Sequence, residues 1–326
     1  MIVLLGASGY VGQAFQRALK QQGEPFTALS RKQLDYTDYG ALAQFLQRSR
    51  PAFLINAAGY TGKPNVDACE TARADTLQGN TLFPLTVSHA CAATCTPWGH
   101  VSSGCIYSGA IIADRGVRRV ERDLTKPELK GLISEGPGAI HGFTEADEPN
   151  FSFRHPPCSF YSGTKALAEE ALADDRHVYL WRLRIPFNGI DNPRNYLTKL
   201  QRFAKVYDNV NSLSHLDDYV RASLALWNMR APFGTYNIVN PGYITARQVV
   251  DMIQHVLKPD REFQYWDNDD EFYRLGAKTP RSNCVLDPAK LLSTGIQLRS
   301  VEDALMDALT RWTPEPESQP TTVAIR

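Results

Sequence analysis

The sequence predicts an α/β fold: a doubly wound parallel sheet followed by a smaller C-terminal lobe. Three observations carry that prediction. Short apolar runs alternate with helical patterns up to about residue 185. The runs are continuously apolar, as in strands covered on both faces, rather than alternating. A glycine-rich turn, Gly6-Ala7-Ser8-Gly9-Tyr10-Val11-Gly12, joins the first run to the first helix.

In chain order, Ile2–Leu5 is the first strand. Tyr10 to Gln22 reads as a helix with Val11, Phe15, Ala18 and Leu19 on one face. Phe26–Leu29 is the second strand. Thr37 or Asp38 caps the next helix, whose inner face is Leu42, Phe45 and Leu46. Phe53–Asn56 is the third strand, Leu77–Ala93 a long helix, and Gly99–Ser102 ends the fourth strand. Tyr161–Asp174 is helical and Val178–Leu183 is the fifth strand. Residues 1–185, joined by 210–240, are expected to form the sheet domain. Residues 186–209 and 241–312, with scattered Pro and Gly, suit a lobe that closes over a ligand. The Pro/Glu-rich tail 313–326 reads as disordered. Residues 109–160 form a long insertion, with glycines at 131, 136 and 138 and prolines at 149, 156 and 157. A segment of that length inside a domain is usually functional or mobile.

Composition narrows the class. The 326 residues carry 35 Lys+Arg against 35 Asp+Glu, a formal net charge of zero. That balance predicts no nucleic-acid partner and no anionic membrane partner. No run reaches the length of a membrane span. Met1–Gly6 has no basic leader region, and the six cysteines form no CxxC, so a cytoplasmic protein with reduced thiols is expected. Cys91 and Cys95, four apart on the expected helix, lack a following His pair, and no metal site is predicted.

The glycine turn suits a dinucleotide. Gly6, Gly9 and Gly12 permit a tight turn and close approach of the backbone to a pyrophosphate. Ser8, Tyr10 and Val11 open the helix, whose N-terminus presents free N–H groups. This is the Rossmann-type arrangement. At the end of the second strand, where NAD enzymes place an acid, the chain reads Ser30-Arg31-Lys32. Those residues would hold a 2′-phosphate, which favours NADPH over NADH; a solvated basic turn is the alternative. Asn56-Ala57-Ala58-Gly59 supplies small residues where a cofactor crosses the sheet edge.

Tyr161-Ser162-Gly163-Thr164-Lys165 is a YxxxK pair on one helix face. A lysine cation there is expected to lower the phenol's pKa, so that Tyr161 serves a carbonyl or alcohol as proton donor or acceptor. Ser103, ending the fourth strand, can bond the same oxygen. With the glycine turn and the NAAG stretch, this set resembles the extended short-chain dehydrogenase/reductases.

The likeness goes further. Leu54 to Glu70, Gly104-Cys105-Ile106-Tyr107, Gly142–Glu145, Pro149–Phe151, Ser159–Ser162, Arg182–Pro186, Asn192–Lys199 and Pro280–Asn283 are similar to plant nucleotide-rhamnose synthase epimerase/reductases. The bacterial dTDP-4-dehydrorhamnose reductases resemble it more distantly. The resemblance implies NADPH-dependent 3,5-epimerisation and 4-keto reduction of a nucleotide-linked 4-keto-6-deoxyhexose. It implies that Cys105 and Lys199 exchange protons at C3 and C5. Lys63, Asn65, Arg194, Asn195 and Arg281 become candidates for the substrate's diphosphate and hydroxyls, and Asn80 for a relay water. A structural role is the alternative for each, and a homodimer is compatible with the family. Two other readings stay open: a 4-ketoreductase without epimerase activity, and a non-catalytic regulatory subunit like the methionine adenosyltransferase β-subunit. One departure stands out. Ser103 and Tyr161 are 58 residues apart, much further than in the plant enzymes, with the excess mostly in 111–140.

Overall fold

The structure is a computed structural model that describes residues 1–114, 117–129, 131 and 140–314. Its centre is a parallel sheet. The strands are β1 (Ile2–Leu5), β2 (Phe26–Leu29), β3 (Phe53–Asn56), β4 (Trp98–Ser103), β8 (Val178–Leu183) and β9 (Gly234–Asn237). The three intervening strands, β5 (Ala110–Asp114), β6 (Val117–Glu121) and β7 (Ile140–His141), lie in the insertion. The sheet order is β9-β8-β4-β3-β1-β2. The order reverses around β1, the switch point at which open α/β sheets bind ligands.

The continuous apolar runs are fully buried in β1 and β3 because helices cover both faces. On one face, α1 (Tyr10–Gln21) and α7 (Leu216–Asn228) pack Phe15, Tyr219 and Trp227 against Phe53 and Trp181. On the other, α2 (Tyr39–Ser49) and α4 (Phe83–Ala93) bring Leu42, Leu46 and Val87 onto Val3, Leu54 and Trp98. Asp38 caps α2 by accepting from the Ala41 amide at 2.7 Å.

The long helix expected over Leu77–Ala93 is broken. It starts earlier, as α3 (Arg73–Leu77), and widens into a π turn over Gln78–Leu82 before α4. The cause is Asn80. Its amide bonds the backbone of Tyr60 both ways, at 2.9 and 2.8 Å. Cys95 lies beyond α4 at φ +51°, so Cys91 and Cys95 do not share a helix face.

The lobe gathers α6 (Tyr196–Arg202), α8 (Ala246–Leu257) and α9 (Val301–Thr310) around Leu197, Val249, Ile253 and Leu305. Residues 210–215, expected in the sheet domain, pair instead with lobe segments: Val210–Asn211 with Ile244–Thr245, and Ser214–His215 with Pro186–Phe187. The described residues of the insertion form strands. β5 pairs antiparallel with β6 and β7. Its Ala110, Ile112, Leu124 and Leu129 pack on Val210 and Val285 of the lobe. Gly136 and Gly138 lie outside the described residues. Thr313 is held to the lobe by its amide bond to Gly189 O at 2.7 Å, contrary to a tail disordered from 313. Residues 315–326 lie outside the described residues.

Candidate active site

All the sheet strands run the same way, so their C-terminal ends share one edge. Gly6 leaves β1 there at φ +73°, and a Cβ on it would stand 2.5 Å from Ala58 N. A Cβ on Gly12 would stand 2.1 Å from Gly6 O. Any side chain at either position would break the turn. Gly9 is the N-cap of α1 and supplies no side-chain cap. The first amides of α1 therefore remain available to an anion. Ser8 and Gly9 are exposed, Val11 is half-buried, and Ala57, Ala58 and Gly59 close the opposite side. Tyr10 is turned to another use: its hydroxyl donates to Asn188 Oδ1 at 3.0 Å and ties α1 to the lobe.

At the end of β2, Ser30 bonds Gln33, while Arg31 and Lys32 are exposed. The nearby acid, Asp35, spends its carboxylate on the amide and hydroxyl of Thr37. Asp35 stays ionised, its pKa lowered first by the Thr37 hydroxyl, but the strand end itself, Ser30-Arg31-Lys32, carries two cations and no acid, a set that fits the 2′-phosphate of NADPH.

Tyr161 and Lys165 stand on α5 (Phe160–Ala171), which Ser159 caps through the Ser162 amide. Glu70 holds the same end, accepting from the Phe160 amide at 2.8 Å. Lys165 donates to Val101 O at 3.3 Å, and its Nζ lies 3.7 Å from where a Cβ on Gly59 would stand. Burial lowers its pKa to about 8. The expected lowering of the Tyr161 phenol is not seen. Burial first, then Cys105, push it up, and the Ser103 hydroxyl and the Arg194 charge oppose. At neutral pH the phenol is protonated, the state of a proton donor.

Cys105 follows Ser103 in a short 3-10 turn, Gly104–Ile106, whose Cys105 amide donates to Ser103 Oγ at 3.2 Å. Its thiol is buried beside Tyr161. Burial pushes its pKa up, while Ser103, Ser162, Arg184 and Lys165 pull it down. Lys199 lies on α6 of the lobe. Burial first, then the Arg194 charge, lower its pKa to about 8. Arg194 acts on Tyr161, Cys69 and Lys199 alike, and so relates the two halves of the constellation.

The expected substrate residues divide. Lys63 is exposed beside Gly62. Arg194 donates to Gly62 O at 2.8 Å, and Arg281 lies 2.7 Å from Asp67. Both arginines therefore clasp the 59–70 segment. Asn65 caps its short helix through the Asp67 amide. Asn80 and Asn195 are fully buried. Asn195 donates to Asn188 and Ile190 carbonyls and caps α6 through Leu197. Both asparagines hold backbone in place through these bonds.

Sequence reasoning missed Glu70, Cys69, Ser162 and Arg184. Cys69, buried, interacts electrostatically with Cys105 and Tyr161. Glu70 also accepts from Thr279 at 2.7 Å, linking α5 to the lobe. Periodicity carries no trace of either. The family-like stretches containing these four residues were the only signal.

Residues 1–313 match the family described as RmlD substrate binding domain. A bifunctional dTDP-4-dehydrorhamnose 3,5-epimerase/dTDP-4-dehydrorhamnose reductase of Arabidopsis thaliana is 30% identical over 305 residues, 93% of this chain and 90% of the relative. A trifunctional UDP-glucose 4,6-dehydratase/UDP-4-keto-6-deoxy-D-glucose 3,5-epimerase/UDP-4-keto-L-rhamnose-reductase of the same plant is 30% identical over 307 residues, and this chain spans 41% of its length. Among solved structures, a UDP-rhamnose synthase from Acanthamoeba polyphaga mimivirus shares the fold at TM-score 0.78 and 22% identity, covering 95% of this chain and 98% of its own. A Bacillus anthracis dTDP-4-dehydrorhamnose reductase in complex with NADP does so at TM-score 0.73 and 18% identity, covering 95% and 97%. Among the described residues no helix is long and apolar enough to cross a membrane. The Rossmann-type sheet, the glycine turn and the match over nearly the whole length make this chain a member of the RmlD substrate-binding-domain family.

Proposed function

We propose that this chain is an NADPH-dependent 4-ketoreductase of a nucleotide-linked 4-keto-6-deoxyhexose, and that it first epimerises C3 and C5 of the same sugar. The observation that carries the reading is the grouping of Ser103, Cys105, Tyr161 and Lys165 at one sheet edge; Lys199 joins it on the likeness to the plant relatives, and the Arg194 charge acts on both Lys199 and Tyr161. The C4 ketone acidifies the protons on C3 and C5. One of Cys105 and Lys199 removes such a proton and the other returns one from the opposite face, which inverts the carbon. A lysine with a pKa of about 8 is both a usable base and a usable acid near neutrality. Bound NADPH supplies the hydride for C4. Tyr161 delivers its phenolic proton to the C4 oxygen, Ser103 donates a hydrogen bond to that oxygen, and Lys165, beside Gly59, would hold the nicotinamide ribose. The two plant relatives named above carry both activities in their descriptions, which supports the reading.

The test uses UDP- and dTDP-linked 4-keto-6-deoxyglucose with NADPH in deuterated water, read by product NMR. Deuterium at C3 and C5 with a reduced C4 is expected. Label-free product would leave a reductase alone. Tyr161→Phe is expected to cut NADPH oxidation by about a hundredfold or more. An unchanged rate in that variant would remove Tyr161 as the acid.

A further inference from the structure

Arg184 follows the end of β8 with 5% of its surface exposed. Two residues earlier Arg182 is neutralised by Glu169, with Nη2 to Oε2 at 2.8 Å. Arg184 has no such partner. Among the described residues no carboxylate pairs with it. Its Nη2 donates to the neutral oxygens of Asn211 and Ser282, and its buried Nε has no hydrogen-bond partner. A desolvated cation without a counter-ion is costly, so the working protein is expected to bring a negative charge to it. The backbone at this point is also unusual. Ile185 takes φ +36°, a left-handed conformation that a β-branched residue rarely adopts.

The location says which charge. Arg184 Cδ lies 3.6 Å from where a Cβ on Gly104 would stand, beside Cys105. Cys105 sits in an apolar pocket with Ile106, Cys284 and Leu286. Whichever way protons move at C3 and C5, this thiol passes through its anion: as a base it starts there, as an acid it ends there. We propose that Arg184 is the counter-cation of the Cys105 thiolate, a positioning residue on which epimerisation depends far more than reduction does. The proposal rests on the reading that Cys105 exchanges protons. The other groups facing the thiol are Ser103 from β4, Tyr161, Ser162 and Lys165 from α5, Cys158 just before it, Cys69, and Cys284 from the lobe. Only one of them, Lys165, is a cation. It lies one helical turn from the Glu169 carboxylate, which acts on its charge. Among the described residues no carboxylate pairs with Arg184, which stands beside the Gly104–Cys105 turn.

Three measurements on the NADP-loaded enzyme test this. The first is alkylation of Cys105 against pH, resolved by peptide mass spectrometry. The second is deuterium exchange at C3 and C5 of the 4-keto sugar. The third is NADPH reduction of the ketone after a separate 3,5-epimerase has inverted it. Arg184→Met is expected to move the Cys105 titration up by at least one pH unit and to cut exchange at least tenfold more than reduction. Asn211→Asp, which sets a carboxylate on the guanidinium without removing it, is expected to move the titration the same way; it carries the test should Arg184→Met fail to fold. Arg184→Lys is expected to restore part of the shift. A Cys105 titration that neither substitution moves would overturn the inference, as would equal losses of exchange and reduction. Absence of exchange in the unsubstituted enzyme would instead sink the epimerase reading. The titration would still decide whether Arg184 serves the thiol.

Discussion

Single residues at this edge are held in states that water would not choose. Lys199 is the clearest case. Its ordinary pKa of 10.5 falls to about 8, chiefly because burial penalises the cation. The sign of the effect on stability follows from proton counting. Between about pH 8 and 10.5 the unfolded chain binds more protons than the folded one, so this lysine's contribution improves as pH rises. The penalty is fully present below pH 8, on the order of 3 kcal/mol, and vanishes above the unfolded value. Lys199→Met is therefore expected to raise resistance to urea at pH 7 and to gain nothing at pH 10.5. Equal gains at both pH values would show that packing, not charge, makes the difference. The same substitution should abolish exchange at C3 and C5, so a stabilised but epimerase-dead protein is the signature of a functional lysine.

At the scale of elements, α5 is fixed by partners remote in sequence. Ser159 and Glu70 satisfy the amides of its first turn. Further along, Glu169 reaches Ser102 of β4 and Arg182 of β8, which sets the helix against the strand bearing Ser103. Removing Glu70's carboxylate leaves the Phe160 amide and the Thr279 hydroxyl without acceptors. Glu70→Ala is expected to cost about 1 kcal/mol and to speed hydrogen exchange at the Phe160 amide several-fold, with reductase turnover falling because Tyr161 is the next residue. Unchanged protection there would show that Ser159 alone holds the helix start. The sequence revealed α5 itself, its YxxxK face and the strands it covers, because burial on both sides of a parallel sheet leaves a continuous apolar trace. It could not reveal Glu70, whose partner is 90 residues away. Nor could it reveal the π turn at Asn80, where a side chain bonds the backbone of Tyr60, 20 residues away, and the apolar period does not change. Asn195 was visible as part of a family-like stretch, but its burial and its capping of α6 were not.

For the whole molecule the decisive feature is how the sheet domain and the lobe are joined. Three ties meet the 59–70 segment from the lobe: Arg194 to Gly62 O, Arg281 to Asp67, and Thr279 to Glu70. The insertion adds a different kind of join. Its backbone continues the lobe's: Gly109 exchanges hydrogen bonds with Asn283 and Val285, and Phe143 does so with Val285 and Asp287. Its apolar side chains cover Val210 and Val285. The described part of the extra length between Ser103 and Tyr161 thus packs in a small apolar cluster of its own against the lobe, which neither composition nor periodicity signalled. Deleting 111–140 should therefore uncover a lobe surface while leaving the glycine turn and its sheet intact. The expected result is a protein that still binds NADPH, read by nicotinamide fluorescence, that takes up a dye for exposed apolar surface, and that turns over the 4-keto sugar at least tenfold more slowly. Full turnover after the deletion would mean that the lobe closes its core without the hairpin, and that the insertion serves some surface other than the sugar site.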